Sequence, residues 1–166
     1  MRTQQDSEGT VLSYATENEP EGLVITTHPT LTVIRNGILL INETSVTLND
    51  GNWHFLSVTW SSLSGIFAVR GREKTYIWTA RRHIRTPLQG GGYLVLGKRR
   101  TTLKKEEADE AGAFVGEISN LNIWDRSKSI DRNIWQDLPS GNLLHLSDAT
   151  IVRDHSASII AQGMFV

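Results

Sequence analysis

The stretch from residue 90 to residue 125 does most to limit what this chain can fold into. It reads Gly-Gly-Gly-Tyr-Leu-Val-Leu-Gly, then a charged segment, then Phe-Val-Gly-Glu-Ile-Ser-Asn-Leu-Asn-Ile-Trp-Asp. A short apolar run bounded by glycines predicts a strand buried in a sheet. The second arm sets Phe114, Gly116 and Ile118 on one parity and then moves its apolar residues to Leu121 and Ile123 on the other. A period of two cannot change its buried face without an inserted residue, so a bulge is expected near Ser119 and Asn120.

The rest of the chain repeats the pattern of short strands and turns. Strands are expected over residues 11–15, 23–27, 31–34, 38–41, 45–48, 53–61, 66–70, 75–79, 143–146, 150–152 and 158–160. Asn36-Gly37 is the sharpest hairpin signal, because both central positions of such a turn need positive φ. Ser129 can cap a single short helix over 129–136, stopped by Pro139-Ser140-Gly141. The first eight residues are polar apart from Met1 and are expected to form a disordered tail (1–8). Residues 9–166 are expected to form one domain, since 166 residues with 39% hydrophobic content suit one core better than two. The expected fold is all-β: a two-sheet antiparallel sandwich of the jelly-roll type with one short α-helix.

Composition removes whole classes of chemistry. There is no cysteine, so disulfides, thiolate metal sites and a cysteine nucleophile are excluded. No stretch approaches the roughly 20 apolar residues of a membrane helix, and the N-terminus is too polar for a signal peptide. The histidines lack metal-ligand spacing, and Glu117 stands without the second carboxylate that sugar hydrolysis needs. With no nucleophile elbow, phosphate loop or zinc motif, catalysis is not expected.

The net charge of −1 conceals a strong segregation. Residues 70–105 hold eleven lysines and arginines against Glu73, a net +10, which leaves −11 for the remainder. Such asymmetry points to a polyanionic partner or to a positive face meeting a negative one in an assembly. Cations without interleaved aromatics do not suggest nucleic acid.

The glycine-rich lead into Leu96-Gly97, the Phe-Val-Gly-Glu-Ile strand (114–118) and the Asn-Leu-Asn-Ile-Trp-Asp close (120–125) resemble the pentraxin module and its laminin-G-like relatives. Two further blocks resemble that family in the right order: Leu-Ser-Tyr-Ala-Thr (12–16), and the segment 50–60 with Trp53 and Trp60 seven apart. The resemblance covers roughly residues 9–160 and implies an extracellular, noncatalytic recognition module. It also implies a disulfide across the sandwich. The expected second half-cystine position is Leu56, and the first would lie upstream of Leu12; an incomplete N-terminal strand and a bridge replaced by aliphatic packing both fit.

The resemblance further implies two calcium ions, held by an Asp-Asn pair after the first strand and a Glu-Gln-Asp run after Leu96-Gly97. Here those positions fall on Pro20 and Glu21, and on Arg99, Arg100 and Thr101. Guanidinium groups repel a divalent cation, so no cofactor, calcium included, is expected. A cation site assembled from Glu17, Glu19 and Glu21 with Glu106, Glu107, Asp109 and Glu110 stays open beside the plainer reading of a solvated acidic loop. The ligand-binding candidates are Arg81, Arg82, Arg85, Lys98, Arg99, Arg100, Lys104 and Lys105. Arginine matches sulfate and phosphate with paired donors, so the partners expected are an anionic glycan, a lipid headgroup or an acidic protein. The alternatives are a solvated basic loop, a structural module that forms homo-oligomers, and calcium-dependent binding. The five tryptophans are expected mostly in the core, with Trp78 as a candidate sugar platform. Asn42-Glu43-Thr44 is a glycosylation sequon at an expected turn.

Overall fold

The computed structural model describes residues 1–4, 6, 8–27, 30–71, 75–79, 86–100, 108–109, 112–125, 140–141, 143–146, 150–152 and 161–162. Its strands, in chain order, are β1 (Thr10–Ala15), β2 (Leu23–Thr26), β3 (Leu31–Arg35), β4 (Ile38–Glu43), β5 (Ser57–Ser61), β6 (Ile66–Arg70), β7 (Thr75–Thr79), β8 (Tyr93–Leu96), β9 (Arg99–Arg100), β10 (Ala108–Asp109), β11 (Gly116–Ile118), β12 (Leu121–Ile123), β13 (Leu144–Leu146), β14 (Thr150–Val152) and β15 (Ala161–Gln162). No helix occurs among the described residues; the helix expected over 129–136 lies outside them.

The larger sheet has the order β15-β8-β1-β2-β3-β4, and β5-β6-β7 form a second. All paired strands in both are antiparallel. Their inner faces meet in one core. Leu12, Tyr14, Ile25, Leu31, Val33, Ile41, Leu94 and Leu96 come from the larger sheet, and Phe67 and Val69 from the smaller, with Val58 and Trp60 packed alongside. Burying each such side chain contributes about 1.5–3 kcal/mol relative to exposure. The molecule is therefore the all-β sandwich that the strand spacing predicts.

Strand β1 is buried on both faces. Leu12 and Tyr14 enter the main core, while Val11, on the opposite parity, joins Phe114 and Ile118 in a second cluster. Ser13 donates to the Lys98 carbonyl oxygen at 2.8 Å. The returning chain thus covers the outer face of this strand, which is why it carries no alternation of burial.

Several local expectations are corrected. Ser119 and Asn120 do not form a bulge within one strand. Asn120 adopts φ 53°, ending β11, which pairs with β14, and starting β12, which pairs with β13. Ile118 thereby stays in the outer cluster, Leu121 packs against both clusters and Ile123 packs on the main core.

The N-terminal residues, expected to be disordered, form a bridge between Arg2 and Glu117, and Thr3 is buried. Gly116 makes room for this, since a Cβ there would meet Thr3 Cβ at 3.0 Å. Strand β5 starts at Ser57 rather than residue 53, because Trp53 and His54 are held by the N-terminus: the Met1 amino group donates to the His54 carbonyl at 2.8 Å, and His54 N donates to the Met1 carbonyl at 2.7 Å. Trp53 is accordingly 48% exposed, outside the core expected for it, with Arg2 5.3 Å from its ring centre. Residues 45–48 form no strand. Asn36 and Gly37 do adopt positive φ, 53° and 71°, and close the β3–β4 hairpin as their sequence predicts.

Candidate functional site: the loop face over β1 and β8

The antiparallel pairing of β1 with β8 sets Ala15 opposite Tyr93 and Leu12 opposite Leu96. This brings the loop of residues 16–22, which follows β1, beside the segment 86–92, which precedes β8. After β8, Gly97 takes φ 80°, a value that glycine adopts without a steric penalty. Its N–H donates to the Val11 carbonyl at 3.0 Å, and the chain doubles back over the outer face of β1 as β9. This fold-back places Lys98 and Arg99 against residues far away in sequence, and Arg100 against Tyr93.

Arg99 meets the acidic loop. Its Nε and Nη2 donate to Glu21 Oε1 at 2.9 and 2.5 Å, and its Nη1 lies 3.6 Å from Glu8 Oε1. The side chains of Arg99 and Glu21 are 27% and 21% exposed, so this pair is screened less than one in open solvent. Arg100, expected at the surface of a ligand-reading loop, is instead 2% exposed with its guanidinium 5.1 Å from the centre of the Tyr93 ring. Its burial in the fold-back against β8 corrects that expectation. Lys98 is half-buried, with its carbonyl bound to Ser13. Arg81, Arg82, Arg85, Lys104 and Lys105 lie outside the described residues.

Beneath the same loop lies a second arginine that residue patterning does not single out. Arg35 ends β3 on the core-facing parity and is 1% exposed. Its Nη1 donates to Glu19 Oε2 and to the Gly22 carbonyl, both at 3.0 Å, and its Nη2 to the Pro87 carbonyl at 3.0 Å. A buried cation needs partners of this kind. Glu19 is buried too, which corrects the picture of a wholly solvated acidic loop; Glu17 remains exposed. The only warning in the sequence is the parity of Arg35, which continues the inward series Leu31, Val33.

Tyr14 joins β1 to the segment before β8. Its hydroxyl donates to the Gln89 carbonyl at 2.7 Å and accepts from Gly92 N at 2.9 Å. Burial raises the pKa of this phenol, so it remains a neutral donor. A Cβ on Gly92 would fall 2.7 Å from the Tyr14 ring, so glycine is required there.

Asn42 lies on β4 rather than at a turn, with an exposed side chain. Strand β4 pairs with β3 and is an edge of the larger sheet among the described residues, which leaves the sequon accessible.

Comparison with known proteins agrees with this architecture. The family model described as the Pentaxin family matches residues 2–145, and this chain belongs to that family. Sushi, von Willebrand factor type A, EGF and pentraxin domain-containing protein 1 of Rattus norvegicus is 32% identical over 151 residues, 84% of this chain and 4% of that protein. Pentraxin-4 of Homo sapiens is 30% identical over 162 residues, covering 91% of this chain and 33% of its own length. Neuronal pentraxin-2 of Homo sapiens is 36% identical over 126 residues, 71% and 27% respectively. The chain therefore spans a third or less of these curated relatives. Among solved structures, the native heptameric SAP-like pentraxin from Limulus polyphemus superposes with a TM-score of 0.70 at 19% identity, covering 98% of this chain and 79% of that one. That likeness confirms the jelly-roll sandwich.

The calcium ions that the family resemblance implies do not fit the residues present. The expected Glu and Gln positions after β8 carry Arg99 and Arg100, and Glu21 already accepts two hydrogen bonds from a guanidinium. Calcium takes six to eight oxygen ligands, largely carboxylate and carbonyl, and a guanidinium supplies none.

Proposed function

We propose that this chain is a noncatalytic, extracellular recognition module that binds an anionic group through its basic loops. A sulfated glycosaminoglycan, a phospholipid headgroup or an acidic protein presents such a group. One observation carries the reading: eleven cations within residues 70–105 against a single acid. Arg99 and Arg100 are engaged within the fold, so the ligand contacts are assigned to Lys98, Arg81, Arg82, Arg85, Lys104 and Lys105. Membership of the pentaxin family supports the extracellular setting and the recognition role. The rigid sandwich supplies the frame and charge complementarity the attraction, which salt weakens.

Heparin affinity tests this reading. The chain is expected to be retained on immobilised heparin and released by added salt, and the combined neutralisation of Arg81, Arg82, Arg85, Lys104 and Lys105 to alanine is expected to abolish retention. Equal retention of that variant overturns the assignment. Vesicles containing phosphatidylserine and an immobilised polyglutamate, run in parallel, distinguish the lipid and protein ligands from the glycan.

A second reading is favoured by the heptameric state of the Limulus pentraxin together with the opposed charges of the two parts of this chain. In it, the positive segment of one copy meets the acidic remainder of another in a homo-oligomer. Sedimentation velocity at low and high salt tests it: assembly that dissociates with salt supports it, and a monomer at both removes it.

A further inference from the structure

We propose that Arg99 acts as a resident cation for this face, its guanidinium taking the place of a bound metal ion in joining three segments that lie apart in sequence. The segments are the chain before β1 at Glu8, the loop after β1 at Glu21, and the fold-back after β8 that carries Arg99 itself. Two of the loop's three carboxylates, Glu19 and Glu21, are two residues apart and are gripped by different arginines. Glu19 meets Arg35 beneath the loop, and Glu21 meets Arg99 above it.

The backbone supports the same placement, with Gly37 N donating to the Glu21 carbonyl and Asn36 N to the Gly22 carbonyl, each at 3.4 Å. The loop is therefore positioned by side chains of the chain itself. A guanidinium stays charged throughout the accessible pH range and cannot be removed by a chelator. The order of this face then does not depend on calcium concentration. This inference is independent of the anionic-ligand reading: a chain that ignores heparin leaves it standing.

The test is thermal melting of the chain in millimolar calcium and in EDTA, with terbium luminescence sensitised by tryptophan as a second readout. The wild-type chain is expected to melt at the same temperature in both buffers and to give no saturable terbium signal. Arg99→Asp places a third carboxylate beside Glu8 and Glu21. It is expected to melt lower in EDTA, to recover several degrees in calcium, and to gain saturable terbium emission. A wild-type chain stabilised by calcium overturns the proposal, and so does an Arg99→Asp variant indifferent to both ions.

Should Arg99→Asp not fold, a double-mutant cycle of Arg99→Met with Glu21→Gln decides. Strong coupling between the two positions supports the proposal, and purely additive effects overturn it. Arg99→Lys, which keeps the charge, is expected to retain calcium indifference.

Discussion

The guanidinium of Arg35 lies 5.2 Å from the centre of the Trp60 ring, so a charge buried at the end of β3 rests on an aromatic side chain of the opposite sheet. The same group is ion-paired to Glu19. One arginine therefore couples the two layers of the sandwich and fixes the loop after β1. Truncation leaves the Glu19 carboxylate buried and unpaired, a cost of about 3–5 kcal/mol. Arg35→Ala is expected to lower stability by that amount in urea denaturation, while Arg35→Met with Glu19→Gln is expected to lose less than the sum of the single changes.

Tyr14 gives an alkaline prediction. Its pKa is raised above the usual 10.0, chiefly by burial, so the folded state holds its proton more firmly than the unfolded state. The resulting stability is present below about pH 10 and is lost as pH rises through the folded value. Tyr14→Phe also removes the bonds to Gln89 and Gly92. It is expected to cost about 1–3 kcal/mol at neutral pH and to flatten the alkaline fall in melting temperature contributed by this residue.

At Gly92 the prediction is steric. A methyl group there meets the Tyr14 ring and the Ala15 backbone, and neither can retreat without disturbing the β1–β8 ladder. Gly92→Ala is expected to destabilise by about 1–3 kcal/mol, as overpacking does, with the loss appearing first in hydrogen-exchange protection of β8.

Asp50 is expected to titrate unusually low. The His54 side chain hydrogen-bonds its carboxylate, with Asn52 adding further bonds, and holds its pKa at about 2 instead of 3.8. The stability this contributes is present above the ordinary carboxylate value and is lost as pH falls from there towards 2. NMR titration of the Asp50 carboxyl carbon is expected to show a midpoint near that value, and His54→Ala is expected to return it towards 3.8.

Much of the sandwich was legible because its cues are local. The Asn36-Gly37 turn, the glycine-bounded run at β8 and the parity of Phe114 and Ile118 each follow from neighbours along the chain. The site was less legible because its contacts are distant. Arg99 and Glu21 are 78 positions apart, and nothing in either segment shows that the fold-back after Gly97 brings them together. Arg100 reads as one more cation in a basic run until β9 presses it onto Tyr93. Trp53 reads as core by its place in an apolar segment, yet the N-terminal residues take the hydrogen bonds of that segment and leave the ring outside. The switch at Asn120 was visible as a change of phase, but a bulge and a left-handed break produce the same pattern of apolar residues.

The position of β1 in the larger sheet has a consequence for how the chain acquires its structure. Its neighbour on one side, β2, follows after a short loop; its neighbour on the other, β8, starts at residue 93. During synthesis the first four strands can form a meander early, but β1 keeps an open edge until the ribosome has released β8. Closing so long a loop is entropically costly and slow. Nascent chains are thus most exposed to mispairing at the strand that becomes the most enclosed in the finished molecule.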